Sequence, residues 1–244
     1  MKALLAQIRV ELALALRKGE TLLLTIGIPV MFLCFFSAVS VVHSPTPKRV
    51  DFLFPGILAL SVMSTAMVSL SISTGFERGY GVLVRLYATP LGRGRLLAAK
   101  VVTIAVVELL QVGVLGLTAV LLGYHLPHGT SPSNLLVVAA LVILATLGFA
   151  GIGLITAGRL KPEVNLAAAN GLYLVLLLIS GMVIPLSSLG SFASVSRLLP
   201  STALAEGLHS VMSFGTPVGA STWIVLIVWG IVAPGLASRL FLFE

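Results

Sequence analysis

At 244 residues the chain has room for one or two soluble domains, but it is 58% hydrophobic and 9% charged, with a mean hydropathy of +1.12; its solvent is lipid. The net charge of +7 and pI near 10.1 do not mark a nucleic-acid binder, because the basic residues sit at the ends of apolar runs, where they anchor to headgroups. A single cysteine, Cys34, excludes a disulfide framework, and its place inside an apolar run argues against a metal or redox role.

Residues 1–20 form an amphipathic pattern. Leu4, Leu5, Ile8, Leu12 and Leu16 make one stripe, and Lys2, Arg9, Glu11, Arg17 and Lys18 occupy the rest. A signal peptide fits poorly, since the charged part is long, carries both signs and precedes too long an apolar run. An interfacial helix leading into a span is expected.

The first span is expected at about 21–42, charge-free from Thr21 to Val42 and bent at Pro29. His43 to Asp51 makes a short polar turn, and the second span follows at about 52–76. A polar interruption, 77–95, leads to the third span at about 96–122. From Leu109 to Gly158 there is no charged residue, but the turn chemistry between Gly123 and Asn134 divides the run and starts a fourth span at about 135–157. Arg159, Lys161, Pro162 and Glu163 form a tight loop before the fifth span at about 164–186. An outer segment, 187–221, precedes the sixth span at about 222–239. No internal repeat is evident, and the expected architecture is one all-α integral membrane domain covering residues 1–244. Of the fifteen Lys and Arg residues, twelve fall with the termini and the 77–95 loop, and three on the other side. Both termini and that loop are therefore expected in the cytoplasm.

The 77–95 stretch carries Glu77, Arg78, Arg85, Arg93 and Arg95, and Lys100 follows; the basic residues beyond the turn are expected to face headgroups. Gly79 and Gly81 allow a sharp exit from the preceding helix. Val82, Leu83, Leu86 and Tyr87 recur at helical spacing with Arg85 near the opposite side, so a short surface helix is expected at about 82–88. Thr89 is placed to cap the next helix and Pro90 to open it.

This loop resembles that of type-2 ATP-binding-cassette (ABC) exporter permeases, whose pattern is an acid, three residues, Gly-Thr-Leu-Glu-Arg-Leu, two residues, Thr-Pro-Leu, and then a basic residue and Leu-Leu-x-x-Lys. Glu77, Gly81, Leu83, Arg85, Leu86, Thr89, Pro90, Leu91, Arg93, Leu96, Leu97 and Lys100 match, while Val82 and Val84 replace the usual Thr and Glu. The outer segment resembles the family's re-entrant helices at Leu199, Pro200, Glu206, Leu208 and His209, with His where Arg is commoner. The resemblance implies a cytoplasmic coupling helix, an N-terminal connecting helix, a second permease subunit, like or unlike, and a separate ABC ATPase subunit. ATP and magnesium then belong to the partner, and the location is a bacterial inner or plasma membrane.

No Gly-x-x-x-x-Gly-Lys-[Ser/Thr], His-Glu-x-x-His or Gly-x-Ser-x-Gly motif occurs, so the chain carries no recognisable ATPase or hydrolase centre. His125 and His128 read more simply as turn residues than as metal ligands. In the second span Ser61, Thr65, Ser69 and Ser73 recur every four residues, with Ser64 and Ser71 beside them and Met63 and Met67 nearby. On an α-helix they form one hydroxyl stripe, suited either to close helix packing or to the wall of a substrate path. The fifth span offers Asn165, Asn170, Tyr173, Ser180, Pro185 and the pair Ala167 and Gly171, again readable as packing or as a half-polar wall. Glu108, with Gln111 one turn on, is an acid within the third span, either a proton site or a protonated carboxyl bonded across a helix contact.

The function implied is the permease half of an ATP-driven exporter of an amphipathic substrate such as a drug, lipid or lipid-linked glycan, with a lean toward antibiotic resistance. The alternatives are a proton-coupled secondary transporter using Glu108, and a non-transporting membrane scaffold.

Overall fold

The structure is a computed structural model that describes residues 2–17, 19–39, 46, 48–87, 92–127, 132–180 and 192–242. Thr89, Pro90, His43, His128 and Pro185 lie outside these residues. The described residues are helical with no strand: α1 (Lys2–Arg17), α2 (Gly19–Ala38), α3 (Arg49–Met63), α4 (Leu70–Gly79), α5 (Val82–Tyr87), α6 (Arg93–Leu121), α7 (Pro132–Arg159), α8 (Pro162–Ile179), α9 (Phe192–Ser196), α10 (Pro200–Met212) and α11 (Ala220–Leu240). A π-helical turn, Ser64–Ser69, joins α3 to α4 in one continuous 31-residue helix. Among the described residues five helices are long and apolar enough to cross a membrane, and six if α1 and α2, which meet at 61°, are counted as one bent span. The protein is an all-α membrane protein. α8 runs to Ile179 with Ser180 as its cap, and residues 181–186 of the expected fifth span lie outside the described residues.

The α3–α4 helix is the axis of the bundle. It packs against α2, α6, α7, α8 and α10, and residues on nearly all its faces are buried, from Leu53 and Phe54 to Leu70 and Thr74. A helix apolar all round belongs at such a position. At about 1.5 Å per residue, 31 residues reach roughly 46 Å, well beyond a hydrocarbon core of about 30 Å, so Glu77 and Arg78 lie past its end. The outer helices leave large apolar side chains exposed, among them Leu109, Leu121, Leu136 and Ile231, as a lipid solvent permits.

Small residues set the closest approaches. A Cβ at Gly151 meets the backbone of Ala233 and Pro234 at 2.4–2.5 Å, and one at Gly153 meets the Met67 carbonyl oxygen at 2.5 Å. α11 and the π-turn can therefore lie directly on α7 only because these positions lack side chains. α10 is more than an amphipathic cover. Leu204, Leu208, Val211 and Met212 belong to the main core, and Pro200, in its first turn, is buried too.

Candidate functional site

The site is assembled at one end of the axial helix. Arg78 donates from Nη2 to the carbonyl of Leu160, tying α4 to the α7–α8 connection. Gly79 is still helical; Pro162 packs on it so closely that a Cβ would stand 2.4 Å from the proline ring. The sharp exit expected of Gly79 and Gly81 together belongs to Gly81, whose φ of 70° is one that L side chains rarely adopt. Gly79 is required for packing instead.

α5 follows. Leu83 is fully buried in a small apolar cluster with Leu70, Leu96, Leu97, Leu154 and Phe241, and Leu86 packs against it. Arg85, Val84 and Val82 are exposed, as is Tyr80 just before them. Helical spacing therefore anticipates the sides of Leu83, Leu86 and Arg85, whereas Val82 turns outward. The short helix is pinned by two leucines and presents a basic and apolar outer face.

Lys100 differs most from expectation. It is not spread toward headgroups; its side chain is 3% exposed, and Nζ binds Glu11 at 3.0 Å and, at closer range, Glu77. One ammonium thus joins α1, α4 and α6. Removing a single partner of such a pair leaves a poorly compensated buried charge, which is costly. Glu77, four residues before Gly81, is therefore bonded within the chain.

Beside this triad lies a groove of about 730 Å³ between α1, α2, the π-turn, α4, α6 and Asn170 of α8. Ser64, Ser69 and Ser73 line it, but Ser61 and Thr65 do not. Ser61 is buried and donates to Ile57 O, and Thr65 donates to Gln111 Oε1 at 3.1 Å. The reason is the π-turn. Its i→i+5 hydrogen bonding widens the helix locally, so Ser64 and Ser69 share a face and the four-residue stripe is broken. Tyr173 lies at the edge of the main core and does not line the groove. Asn165 and Ser71 are fully buried and exchange hydrogen bonds at 2.9 Å, with Thr156 at 2.8 Å from Ser71. That network joins α4, α7 and α8 and is packing, not wall.

Glu108 is buried and faces α7, away from the groove, where Thr146 Oγ1 lies within hydrogen-bond distance of Oε2. Thr146 is also 2.8 Å from the Val142 carbonyl. Its one hydroxyl hydrogen is therefore shared between the carboxyl and that carbonyl. Oε1 has no partner among the described residues. Glu108 is thus bonded across the contact between α6 and α7.

At the far end a second cavity of about 430 Å³ is lined by Glu206, His209, Phe52 and Phe214 among others. His209 stacks on Phe52 with centroids 4.5 Å apart and contacts Ser213 Oγ at 3.0 Å. Burial holds its pKa down at about 4. Tyr124, packed edge-on to Phe54, donates to Met212 O at 2.9 Å, and burial with the nearby Asp51 carboxylate pushes its phenol up to about 12. His125 Nδ1 lies 2.7 Å from the Gly123 carbonyl oxygen and 3.1 Å from Lys48 Nζ.

Sequence reasoning gave Glu11 only a place on the polar side of the first helix, set Ser64 only beside the stripe, and missed the linking role of Gln111. Glu11, set in a mostly basic helix, was the one usable signal.

Residues 2–213 match the family model described as "ABC-2 type transporter". Among curated proteins, "Putative transport permease YvfS" of Bacillus subtilis (strain 168) is 24% identical over 93% of this chain and 91% of its own length. "Linearmycin resistance permease protein LnrN" of the same organism is 31% identical over 58% of this chain and 36% of its own length. "ABC transporter G family member 20" of Dictyostelium discoideum is 27% identical over 78% of this chain and 26% of its own length.

Proposed function

The chain belongs to the ABC-2 type transporter family as a multi-pass transport permease, and from that premise we propose that it is the membrane half of an ATP-driven exporter. Its termini and α5 face the cytoplasm of a bacterial cell, a separate ABC ATPase binds Mg²⁺ and ATP and docks on α5, and a second permease subunit completes the transporter. The substrate is amphipathic and moves along the groove beside α4.

One observation carries this reading. α5 is held to the bundle by Leu83 and Leu86 while Arg85, Val84 and Tyr80 stand outward and exposed. A rigid lever with a free face is what transmitting motion from a partner requires. If ATP-driven closure changes the docking energy between two states by about 2–3 kcal/mol, it biases them roughly 30- to 150-fold. The mainly exposed face of α8, where Ala167 and Gly171 are uncovered, suits the second permease.

The test is co-expression with an ATPase partner. Arg85→Glu, with expression unchanged, should abolish co-purification and substrate-stimulated ATP turnover. Reconstituted chain that pumps against a gradient without nucleotide would sink the proposal.

A further inference from the structure

The groove beside α4 carries a fixed charge. Among the described residues, its charged lining is Glu11, Glu77 and Lys100. Two carboxylates share one ammonium, so the floor bears a formal charge of −1. The exposures show which groups face the open volume: the Lys100 side chain is 3% exposed, Glu11 12% and Glu77 26%. The neighbouring Arg78, whose guanidinium donates to the Leu160 carbonyl between α7 and α8, does not line the groove. Above the floor, Leu14, Leu22, Leu24, Val68, Ile104 and Val107 give apolar walls, and Ser64, Ser69 and Ser73 add hydroxyls.

We infer that this groove takes a monocationic amphiphile, its apolar body along the walls and its cationic head at Glu77 and Glu11. The inference rests on the reading of the groove as the substrate path and names the class of substrate. A volume of about 730 Å³ suits a drug-sized molecule. A single negative charge bordered by hydrocarbon attracts one cation and repels an anion, and it acts more strongly there than in water. The head group also meets α4 just before the turn into α5. A cation that competes with Lys100 for Glu77 alters the bonding at the base of the lever, so occupancy of the groove is felt there.

Tetraphenylphosphonium and tetraphenylborate test this, being nearly equal in size and shape and opposite in charge. Equilibrium dialysis of each against the full chain in neutral detergent is expected to show the cation binding about tenfold tighter or more. Glu77→Gln brings the floor to zero while leaving Lys100 paired with Glu11, and cation affinity should fall about tenfold. Lys100→Gln brings it to −2 and should raise that affinity. The double variant returns it to −1 and to near the parent value, and Glu163→Gln, at the exposed start of α8, changes nothing. Size-exclusion chromatography of each variant shows whether it is folded. A merely damaged groove loses affinity in both single variants, whereas charge moves them in opposite directions. Equal binding of the two probes, as for a lipid chain held by the walls alone, overturns the inference, and so do single variants that shift the same way. Dialysis uses neither nucleotide nor ATPase, so the charge ranking can hold even if the exporter reading fails. Conversely, ATP-driven efflux through a charge-blind groove removes this inference alone.

Discussion

The side-chain amide of Gln111 donates to the carbonyl of Thr25 at 2.7 Å, and that carbonyl is the one Pro29 cannot serve. A helix normally bonds the N–H of residue 29 to the oxygen of residue 25, but proline has no N–H. Gln111, reaching from α6, supplies the donor, and its other end accepts from Thr65 in the π-turn. One amide thus joins α2, α6 and the axial helix.

Gln111→Leu should therefore cost about 1–3 kcal/mol, the penalty for polar groups left short of a partner. Pro29→Ala restores the missing N–H to the same carbonyl. In that background the Gln111→Leu penalty should be smaller, as read by thermal unfolding in detergent; equal penalties in both backgrounds would show that the two residues are not coupled through Thr25.

Fold and docking separate at α5. Leu83→Ala should destabilise the protein by about 2–5 kcal/mol, because the leucine is fully buried. Arg85→Glu, at an exposed position, should leave the unfolding temperature unchanged and remove ATPase binding. A docking defect accompanied by equal loss of stability in Arg85→Glu would assign that arginine to the fold.

Gly153 and Gly171 should respond oppositely to a first added carbon. Alanine at 153 collides with the Met67 carbonyl, so expression or stability should suffer by several times the ordinary helix preference of about 1 kcal/mol. Alanine at 171 meets nothing within 4 Å and should be neutral or stabilising by up to about 1 kcal/mol. Gly171→Leu tests the proposed permease contact: cross-linking between subunits should fall while each subunit remains folded.

His209 gives the protein an acid-sensitive end. Ser213 Oγ donates to the Asp51 carbonyl, so it accepts from His209 Nδ1–H, and the neutral ring has Nε2 unprotonated. The folded pKa of about 4 lies below the unfolded value of 6.5. The unfolded chain therefore takes up the proton first as pH falls. Stability is unaffected by this group above about 6.5 and declines from there down to about 4, by on the order of 3 kcal/mol at most. His209→Asn, which keeps a donor near Nδ1, should flatten the decline in an unfolding series across that window.

Glu108→Gln should change stability by less than about 1 kcal/mol, since the amide oxygen can accept from Thr146 as the carboxyl oxygen does. ATP-driven transport by this variant should persist. Transport that disappears together with its pH dependence would favour the secondary-transporter reading instead.

The features legible in the residues are local ones. Leu83 and Arg85 take opposite sides of α5 because three- and four-residue spacing fixes relative direction on any short α-helix. The hydroxyl stripe misleads for the same reason: Ser61, Thr65 and Ser69 share a face only while the helix keeps its α period, and the π-turn changes that period between the second and third. Nothing in Ser64 to Ser69 announces the change. The carbonyl of Met67 lies against Gly153, far along the chain.

The sequence by itself determined the solvent and the helical class, because a lipid interior demands long uncharged runs with cations at their ends. Only the tertiary structure decided where Lys100 points. It is drawn inward by Glu11 and Glu77, which lie 89 and 23 residues away, since a cation at the base of a bundle goes to fixed carboxylates when folding brings them within reach.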